Sequence, residues 1–217
     1  MKSVEFNIRT MTAAESYRLL VSLVVPRPIA LVTTINQDGL VNAAPFSFFN
    51  LMGADPPVVA LGIARDASRP LGLKDTARNI LHNGEFVVHA VNESIAAAMN
   101  VCGTDFPPEM SEIEAAGFSL LPSVQVKPPR IAEAAAQMEC RHVTTVEIGR
   151  TRVLLGEVVH LHLDERYYDA ATRHVKTEEL RMIGRMHGRG SYARTSDLFE
   201  MLRMSYADWE AEPKAKD

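Results

Sequence analysis

The chain has 217 residues, of which 47% are hydrophobic and 23% are charged, and its net charge is −4. This composition is that of a folded globular protein of about one domain, and it excludes an intrinsically disordered chain. Acidic and basic residues are interspersed, so the chain lacks the basic footprint of a nucleic-acid-binding protein. The two cysteines, Cys102 and Cys140, are too few for a disulfide scaffold. No run of 18 apolar residues occurs, and we expect a cytoplasmic protein without a membrane span.

The N-terminal part predicts one helix followed by a β-hairpin. Thr12 and Glu15 form a capping-box pattern, which predicts a helix that begins there and ends before two prolines. Residues 29–35 are a β-branched run, and an Asp-Gly pair in the polar segment after it is typical of a hairpin turn. The returning strand contains Pro45, which cannot donate to a sheet, so the sheet is expected to be interrupted or at an edge there.

Further strands and helices follow in the rest of the chain. The predicted strands cover residues 57–63, 85–92, 134–148 and 151–163, and the predicted helices cover residues 75–82, 94–102, 111–116 and 196–204. Asp75 is a plausible N-cap, and Gly84 supplies a C-terminal stop. Many strands with hairpin links and few helices predict a closed antiparallel barrel with helices added to it.

Two histidines, His160 and His162, fall on one face of the last long strand, opposite Leu161. They could be two ligands of a metal ion, but no third ligand is evident nearby. The pattern therefore favours a solvent-facing pair, and we expect no metal site.

Several widespread catalytic motifs are missing from the sequence. It contains no G-x-G-x-x-G, no P-loop, no H-E-x-x-H and no G-x-S-x-G. A Rossmann dehydrogenase, a kinase-type enzyme and an α/β-hydrolase are therefore disfavoured.

Three of the eight phenylalanines occur within four residues. On a strand, Phe46, Phe48 and Asn50 share one face, and Ser47 and Phe49 share the other. One interpretation is that one face fills the core and the other packs under a helix or a partner subunit. The other interpretation is that a flat-ring ligand lies beside this proline-interrupted strand.

A second cluster combines cations, hydroxyl groups and a predicted helix start. It consists of Ser68, Arg69, Lys74, Asp75 and Thr76. Unpaired amides, a favourable helix dipole and charged donors are what a phosphate group requires. An ordinary capped, solvated helix start explains the same residues, and the Asp75 carboxylate argues against an anion.

Three sequence blocks resemble the flavin reductase-like family, and within it the flavoredoxin-like branch. They are RPIALVTT at residues 27–34, VNAAPFSFFN at residues 41–50 and KDT at residues 74–76. The resemblance implies a mainly β, antiparallel split β-barrel of Greek-key type that binds FMN and carries a few peripheral helices. It implies a single domain over residues 1–217, with a barrel core at about 14–165 and a closing segment at about 166–205.

The resemblance also implies where the cofactor is bound. It places Thr33 and Thr34 near the flavin on the first barrel strand. It lines the isoalloxazine ring and ribityl chain with Ala44, Pro45, Phe46, Ser47, Phe48, Phe49 and Asn50. It places Ser68, Arg69, Lys74, Asp75 and Thr76 around the phosphate and the ring edge, and His187 and Tyr192 in the segment that closes over the site. Leu31 is a departure, because flavoredoxin-like relatives often carry Trp at that position.

The activity implied by the resemblance is an NAD(P)H-dependent flavin reductase, in which nicotinamide passes a hydride to FMN. Positioning of the two cofactors then matters more than an acid or a base, so no single catalytic side chain is expected. The resemblance further implies a homodimer with flavin near the interface, and it allows a monooxygenase or another redox protein as partner. Two alternatives stay open: a flavoredoxin-like electron carrier, and a flavin-free dimeric binding barrel.

Overall fold

The computed structural model describes residues 2–107 and 110–211 and is mainly β, as predicted. The strands are β1 (Ala30–Ile35), β2 (Val41–Phe46), β3 (Phe49–Ala54), β4 (Pro57–Ala64), β5 (Glu85–Ala90), β6 (Leu120–Leu121), β7 (Arg130–Ile131), β8 (Ala136–Ile148), β9 (Thr151–Leu163), β10 (Tyr168–Asp169), β11 (His174–Val175), β12 (Ile183–Arg185) and β13 (Tyr192–Arg194). The helices are α1 (Ala13–Leu23), α2 (Asp75–Asn83), α3 (Ala96–Val101), α4 (Glu112–Ala116), α5 (Thr177–Leu180) and α6 (Tyr206–Ala211). None of the helices in the described ranges is long and apolar enough to cross a membrane.

Seven strands form one antiparallel sheet in the order β2-β1-β5-β8-β9-β4-β3. The pairings of β1 with β5 and of β4 with β9 join strands that are distant in the chain, as Greek-key connections do. The two edge strands, β2 and β3, are joined by only Ser47 and Phe48. The sheet must therefore curl until its edges meet, and the amide of Gly62 in β4 donates to the Phe48 carbonyl at 2.7 Å. This curled sheet is the predicted split-barrel arrangement.

Pro45 behaves as the sequence predicts, because it lies in an edge strand and the chain bends directly after Phe46. Residues 41–50 do not form one continuous strand, so the expected alternation of Phe46, Phe48 and Asn50 along a single strand is wrong. The bend divides this segment into β2 and β3, which pair with β1 and β4 respectively.

The two helices that flank the barrel's first strands begin and end at recognisable signals. The capping box of α1 is confirmed, with the amide of Thr12 donating to Glu15 Oε2 at 2.9 Å. For α2, the prediction that Asp75 is the N-cap is wrong. Lys74 occupies that position without a side-chain cap, and Asp75 is the first helical residue. Gly84 ends α2 in the left-handed conformation, with φ +72°.

Apolar side chains form one cluster on each face of the sheet. Successive residues of β1 point to opposite faces. Ala30 and Val32 join the cluster that includes Phe86 and packs against α2, and Leu31 joins the cluster that packs against α3 and α4. Both helices also contact the edge strand β2: Asn42 donates to Thr76 of α2, and the Ala43 amide donates to Glu112 of α4.

One carboxylate is completely buried and connects a loop to the sheet. Glu139 accepts hydrogen bonds from His162 Nε2 at 2.6 Å and from the amides of Val124, Gln125 and Val126. Burial alone would raise the pKa of Glu139, but these donors hold it below the ordinary value. The prediction that His162 faces solvent is therefore wrong. Leu161 is instead the exposed residue, at 59%. The pairing of β8 with β9 shifts register directly after Glu139, which is a β-bulge.

The C-terminal segment also departs from prediction. A helix over residues 196–204 is wrong, because that stretch has no regular secondary structure and α6 begins only at Tyr206. Its apolar side chains, including Phe199 at 84% exposed, do not pack against the core. A short helix without a buried face is not stable on periodicity alone.

Candidate functional site

A cleft of about 100 Å³ opens where β2, the loop before α2, the start of α2 and the loop after α3 meet. Six of the predicted site residues line it. They are Ala44, Pro45, Phe46, Arg69, Lys74 and Asp75. The structure thus brings together part of the aromatic segment and part of the cationic cluster, which are separated by more than 20 residues in the chain.

The edge strand β2 supplies the apolar wall of this cleft. Ala44, Pro45 and Phe46 are half-buried, so their side chains are partly available to a ligand. The loop after α3 passes close by, because a Cβ added to Gly103 would lie 3.6 Å from Pro45 Cγ and 3.2 Å from the carbonyl of Asn100. Glycine at this position keeps the two walls close without a clash.

The opposite wall carries two cations, Arg69 and Lys74, and of these only Arg69 forms an ion pair among the described residues. Arg69 lies 3.5 Å from the Asp75 carboxylate and donates to the Phe106 carbonyl at 3.3 Å. A second arginine, Arg78, lies 2.5 Å from the same Asp75. The exposed Lys74 ammonium group has no ion-pair or hydrogen-bond partner in the described part of the chain. Two guanidinium groups pair with Asp75, whereas the Lys74 charge acts on Asp66 and helps to lower the pKa of that carboxyl group.

The start of α2 adds backbone donors beside Lys74. Among the residues that the structure describes, no side chain caps this end of the helix, so the first amides remain available and the helix dipole is positive there. An unpaired ammonium group beside an uncapped helix start fits a phosphate group.

Acidic groups in the cleft are held in place by hydrogen bonds. Asp66 accepts from the hydroxyl group of Ser68 at 2.6 Å and from its amide at 3.0 Å, and both bonds lower the pKa of Asp66. The Ser68 hydroxyl group therefore donates its proton to Asp66 within the same turn. Glu112 accepts from the Ala43 amide at 3.0 Å, and burial raises its pKa. This carboxylate satisfies a β2 amide that would otherwise be unpaired at the sheet edge.

Three predicted threonines lie behind the cleft and not on its surface. Thr33, Thr34 and Thr76 are all buried. Thr34 accepts from the Asn79 side chain at 3.0 Å, and Thr76 accepts from Asn42 at 3.1 Å. These two bonds fix α2 against the β1–β2 hairpin, while the Thr33 hydroxyl group donates to a loop carbonyl at 2.6 Å.

The remaining part of the aromatic segment lies at the bend beyond the cleft. Phe49 packs against the barrel core, and Phe48 is 49% exposed with its ring centroid 6.3 Å from that of Tyr17. Asn50 is exposed, and its side chain accepts from the next amide. Ser47 accepts from a buried arginine. The sequence cluster is thus divided between cleft, core and surface.

The structure does not bring the C-terminal candidates into this cleft. His187 is exposed. Tyr192 lines a separate cavity with Ile183 and Ala96, and the Arg185 guanidinium lies 5.0 Å from its ring centroid.

Sequence reasoning missed the third wall, formed by Glu112 and the loop from Cys102 to Phe106. The acidic residues near α4 are typical of a solvated helix face, and only the fold brings Glu112 to β2. Burial and the nearby Glu112 raise the pKa of the Cys102 thiol to about 12, so this thiol is protonated and unreactive at neutral pH.

The donor groups and the apolar strand suit a phosphate-bearing flavin, of which a cleft of about 100 Å³ would enclose only one part. Lys74 and the α2 amides suit the phosphate, and β2 offers an apolar surface for a flat ring. Leu31 is fully buried in the core, so its side chain does not line the cleft. Within the described ranges, no group of three or more His, Cys, Asp or Glu side chains could hold a metal ion.

Comparison with known proteins matches residues 22–179 to the family described as flavin reductase like domain. The chain belongs to this family. It resembles the crystal structure of nitrilotriacetate monooxygenase component B from Bacillus cereus, at 34% identity and TM-score 0.87 over 93% of this chain and 100% of that chain. A 2-nitrobenzoate 2-nitroreductase from Pseudomonas fluorescens has 34% identity and TM-score 0.85 over 98% and 100% of the two chains. A protein of Shewanella frigidimarina with a split barrel domain shares the fold, at 19% identity and TM-score 0.78 over 93% and 100%.

Proposed function

We propose that this member of the flavin reductase-like family binds FMN and uses NAD(P)H to reduce flavin. The observation that carries the proposal is the cleft, in which the unpaired Lys74 ammonium group and the uncapped start of α2 face the apolar wall of β2. A phosphate group and a flat apolar ring need these two surfaces at once.

In this proposal the chain's own residues bind and orient, while bound FMN supplies the hydride chemistry. Lys74 and the α2 amides hold the phosphate, and Arg69 is kept near it by Asp75 and the Phe106 carbonyl. Ala44, Pro45 and Phe46 provide the apolar contact for the ring. No side chain acts as acid or base, because alignment of the two cofactors supplies the rate enhancement. The other residues carried over from the family, from Thr33 to Tyr192, remain predictions.

The proposal includes a homodimer with the flavin near its interface. Support comes from apolar side chains at the bend and on β3, where Phe48, Leu51 and Met52 are 49%, 58% and 57% exposed. Exposed apolar patches of this kind are typical of protein interfaces. Light scattering of the purified chain should give twice the monomer mass, and a monomer at micromolar concentration would contradict this part of the proposal.

We further propose that residues 1–217 act as one domain in the cytoplasm, with residues 166–205 as the closing segment. The two cysteines are free and buried, which suits a reducing compartment.

Two relatives indicate different fates for the electrons. One is a component of a monooxygenase and the other is a nitroreductase, each at 34% identity. We propose delivery to a monooxygenase partner through reduced flavin, and direct reduction of a nitroaromatic compound is the second candidate.

One preparation tests these proposals. The purified protein should be yellow or take up FMN, and a colourless protein that binds neither FMN nor FAD would reject every flavin function. Anaerobic mixing with NADH or NADPH should bleach the flavin rapidly, whereas a flavoredoxin-like carrier would stay oxidised. The bleached protein is then mixed with excess free FMN or with 2-nitrobenzoate. Reduction of free FMN supports the reductase, and loss of the nitro compound supports the second candidate.

A further inference from the structure

Arg27 is an unusual buried cation. Its residue is only 6% exposed, yet none of the ion pairs among the described residues includes it. Burying a charge without an opposite charge is costly unless hydrogen bonds satisfy it. The other buried arginine, Arg152, is paired with Glu147 at 2.7 Å. The Arg27 environment therefore needs an explanation beyond charge pairing.

The Arg27 guanidinium donates hydrogen bonds to three separate parts of the chain. Nη1 donates to the carbonyls of Val21 and Val24 at the end of α1, at 2.8 and 2.9 Å. Nη2 donates to the Met186 carbonyl, directly after β12, at 3.0 Å. Nε reaches the Ser47 hydroxyl group at 3.4 Å.

Two more contacts strengthen this connection. The guanidinium carbon lies 5.9 Å from the Phe48 ring centroid, within cation–π range. The backbone of Arg27 forms an antiparallel bridge with Arg185, with N···O distances of 3.0 and 2.8 Å. One residue thus touches both members of the Ser47–Phe48 bend and both ends of the 185–186 segment.

The position of the bend explains why these contacts matter. Ser47 and Phe48 are the two residues between the edge strands. Phe46, the last residue of β2 and part of the cleft lining, comes directly before them. A shift of the bend would therefore move the apolar wall of the cleft. Arg27 holds the bend through Ser47 and Phe48 and connects it to Met186, directly after β12.

We propose that Arg27 is a positioning residue for the flavin: it locks the β2–β3 bend and the 185–186 segment together and thereby sets the wall that the ring contacts. This inference rests on the proposed flavin function. A planar guanidinium with donors pointing in several directions suits the task. A lysine has one ammonium group at the end of a flexible stem and cannot reach the α1 carbonyls, Met186 and Ser47 simultaneously.

The test compares Arg27→Gln and Arg27→Lys with the matched control Arg152→Gln. The control removes an equally buried arginine, on β9 and paired only with Glu147. Each variant is examined for its FMN dissociation constant, its urea midpoint and the hydrogen exchange of peptides covering residues 46–50 and 183–192. We expect both Arg27 variants to raise the FMN dissociation constant about tenfold or more, and to speed exchange in both peptides. The control should lower the urea midpoint, with an FMN dissociation constant within about twofold of wild type.

The outcomes separate this inference from the function on which it rests. If wild type does not bind FMN, the proposed function fails, and the exchange of the two peptides still decides whether Arg27 locks them together. A folded Arg27→Gln variant with wild-type FMN affinity overturns the positioning role, as does full rescue by Arg27→Lys. If Arg27→Gln does not fold, Arg27→Lys decides alone, with riboflavin as the ligand, because Arg27 lines no part of the cleft. Riboflavin binding to Arg27→Lys should weaken about fivefold or more, and wild-type affinity again overturns the role.

Discussion

Replacing Lys74 with alanine isolates the phosphate half of the proposed flavin site. The Lys74 ammonium group forms no ion pair or hydrogen bond among the described residues. Its removal costs only a weak attraction to the Asp66 carboxylate and should leave the fold intact. A hydrogen bond to a charged group contributes about 1.5–3 kcal/mol. Lys74 is exposed, and solvent screening reduces this to about 1–2 kcal/mol. We therefore expect FMN to bind about 5- to 30-fold more weakly to Lys74→Ala.

Titration of free FMN, followed by its fluorescence, measures this change, and riboflavin provides the decisive comparison. Riboflavin has the same ring without the phosphate, so its affinity should not differ between wild type and Lys74→Ala. Lys127→Ala, another exposed lysine but outside the cleft, serves as the control variant. Raising the ionic strength from about 0.05 M to about 0.5 M should reduce the difference in FMN affinity between wild type and Lys74→Ala. Equal losses for FMN and riboflavin, or no loss for either, would refute the assignment of Lys74 to the phosphate.

Three further predictions concern the fold and are measured by urea unfolding. Gly156→Ala should cost about 1–3 kcal/mol, because the new Cβ would lie 2.7 Å from Cε1 of the fully buried Phe86; full stability would show that the ring can move aside. Burial lowers the pKa of His89 from 6.5 to about 4, so the unfolded chain binds more protons between these values, and stability should fall by about 3 kcal/mol as the pH drops from 6.5 to 4. This loss of stability at low pH should be absent in His89→Gln, and an unchanged pH profile of the unfolding free energy would exclude His89 as its source. Glu139→Gln should lose about 2–4 kcal/mol at pH 7, since its amide turns an N–H group toward backbone donors, and a smaller loss would mean that the loop rearranges.

Local sequence signals predict those parts of the fold that local physics determines. Thr12 and Glu15 form their capping box within a single turn, and Gly84 ends its helix by its own backbone conformation. The edge position of Pro45 follows in the same way, because a missing N–H group is a property of one residue.

Features that depend on distant contacts could not be predicted in this way. The alternation along β9 places His162 opposite Leu161, but the side that faces solvent depends on the bulge after Glu139 and on the loop whose amides surround that carboxylate. The same holds for Glu112, which reaches the Ala43 amide only when α4 packs against β2. The sequence could identify two of the three walls of the cleft, since each of those lies within a few consecutive residues.

The most informative coincidence in the molecule is that the segment lining the cleft also closes the sheet. Phe46 ends one edge strand and Phe49 begins the other, so a substitution between them alters the curl of the barrel together with any ligand contact. Loss of flavin binding in a Phe46 or Phe48 variant would therefore not distinguish a lost contact from a displaced wall. Substitutions of Lys74 and of Arg27 avoid this ambiguity for two different reasons. The Lys74 side chain forms no ion pair or hydrogen bond in the described ranges and should affect mainly the phosphate, whereas Arg27 lines no part of the cleft and should act only through the wall. With riboflavin as ligand, the two proposals therefore predict opposite results: Arg27→Gln should weaken its binding and Lys74→Ala should not.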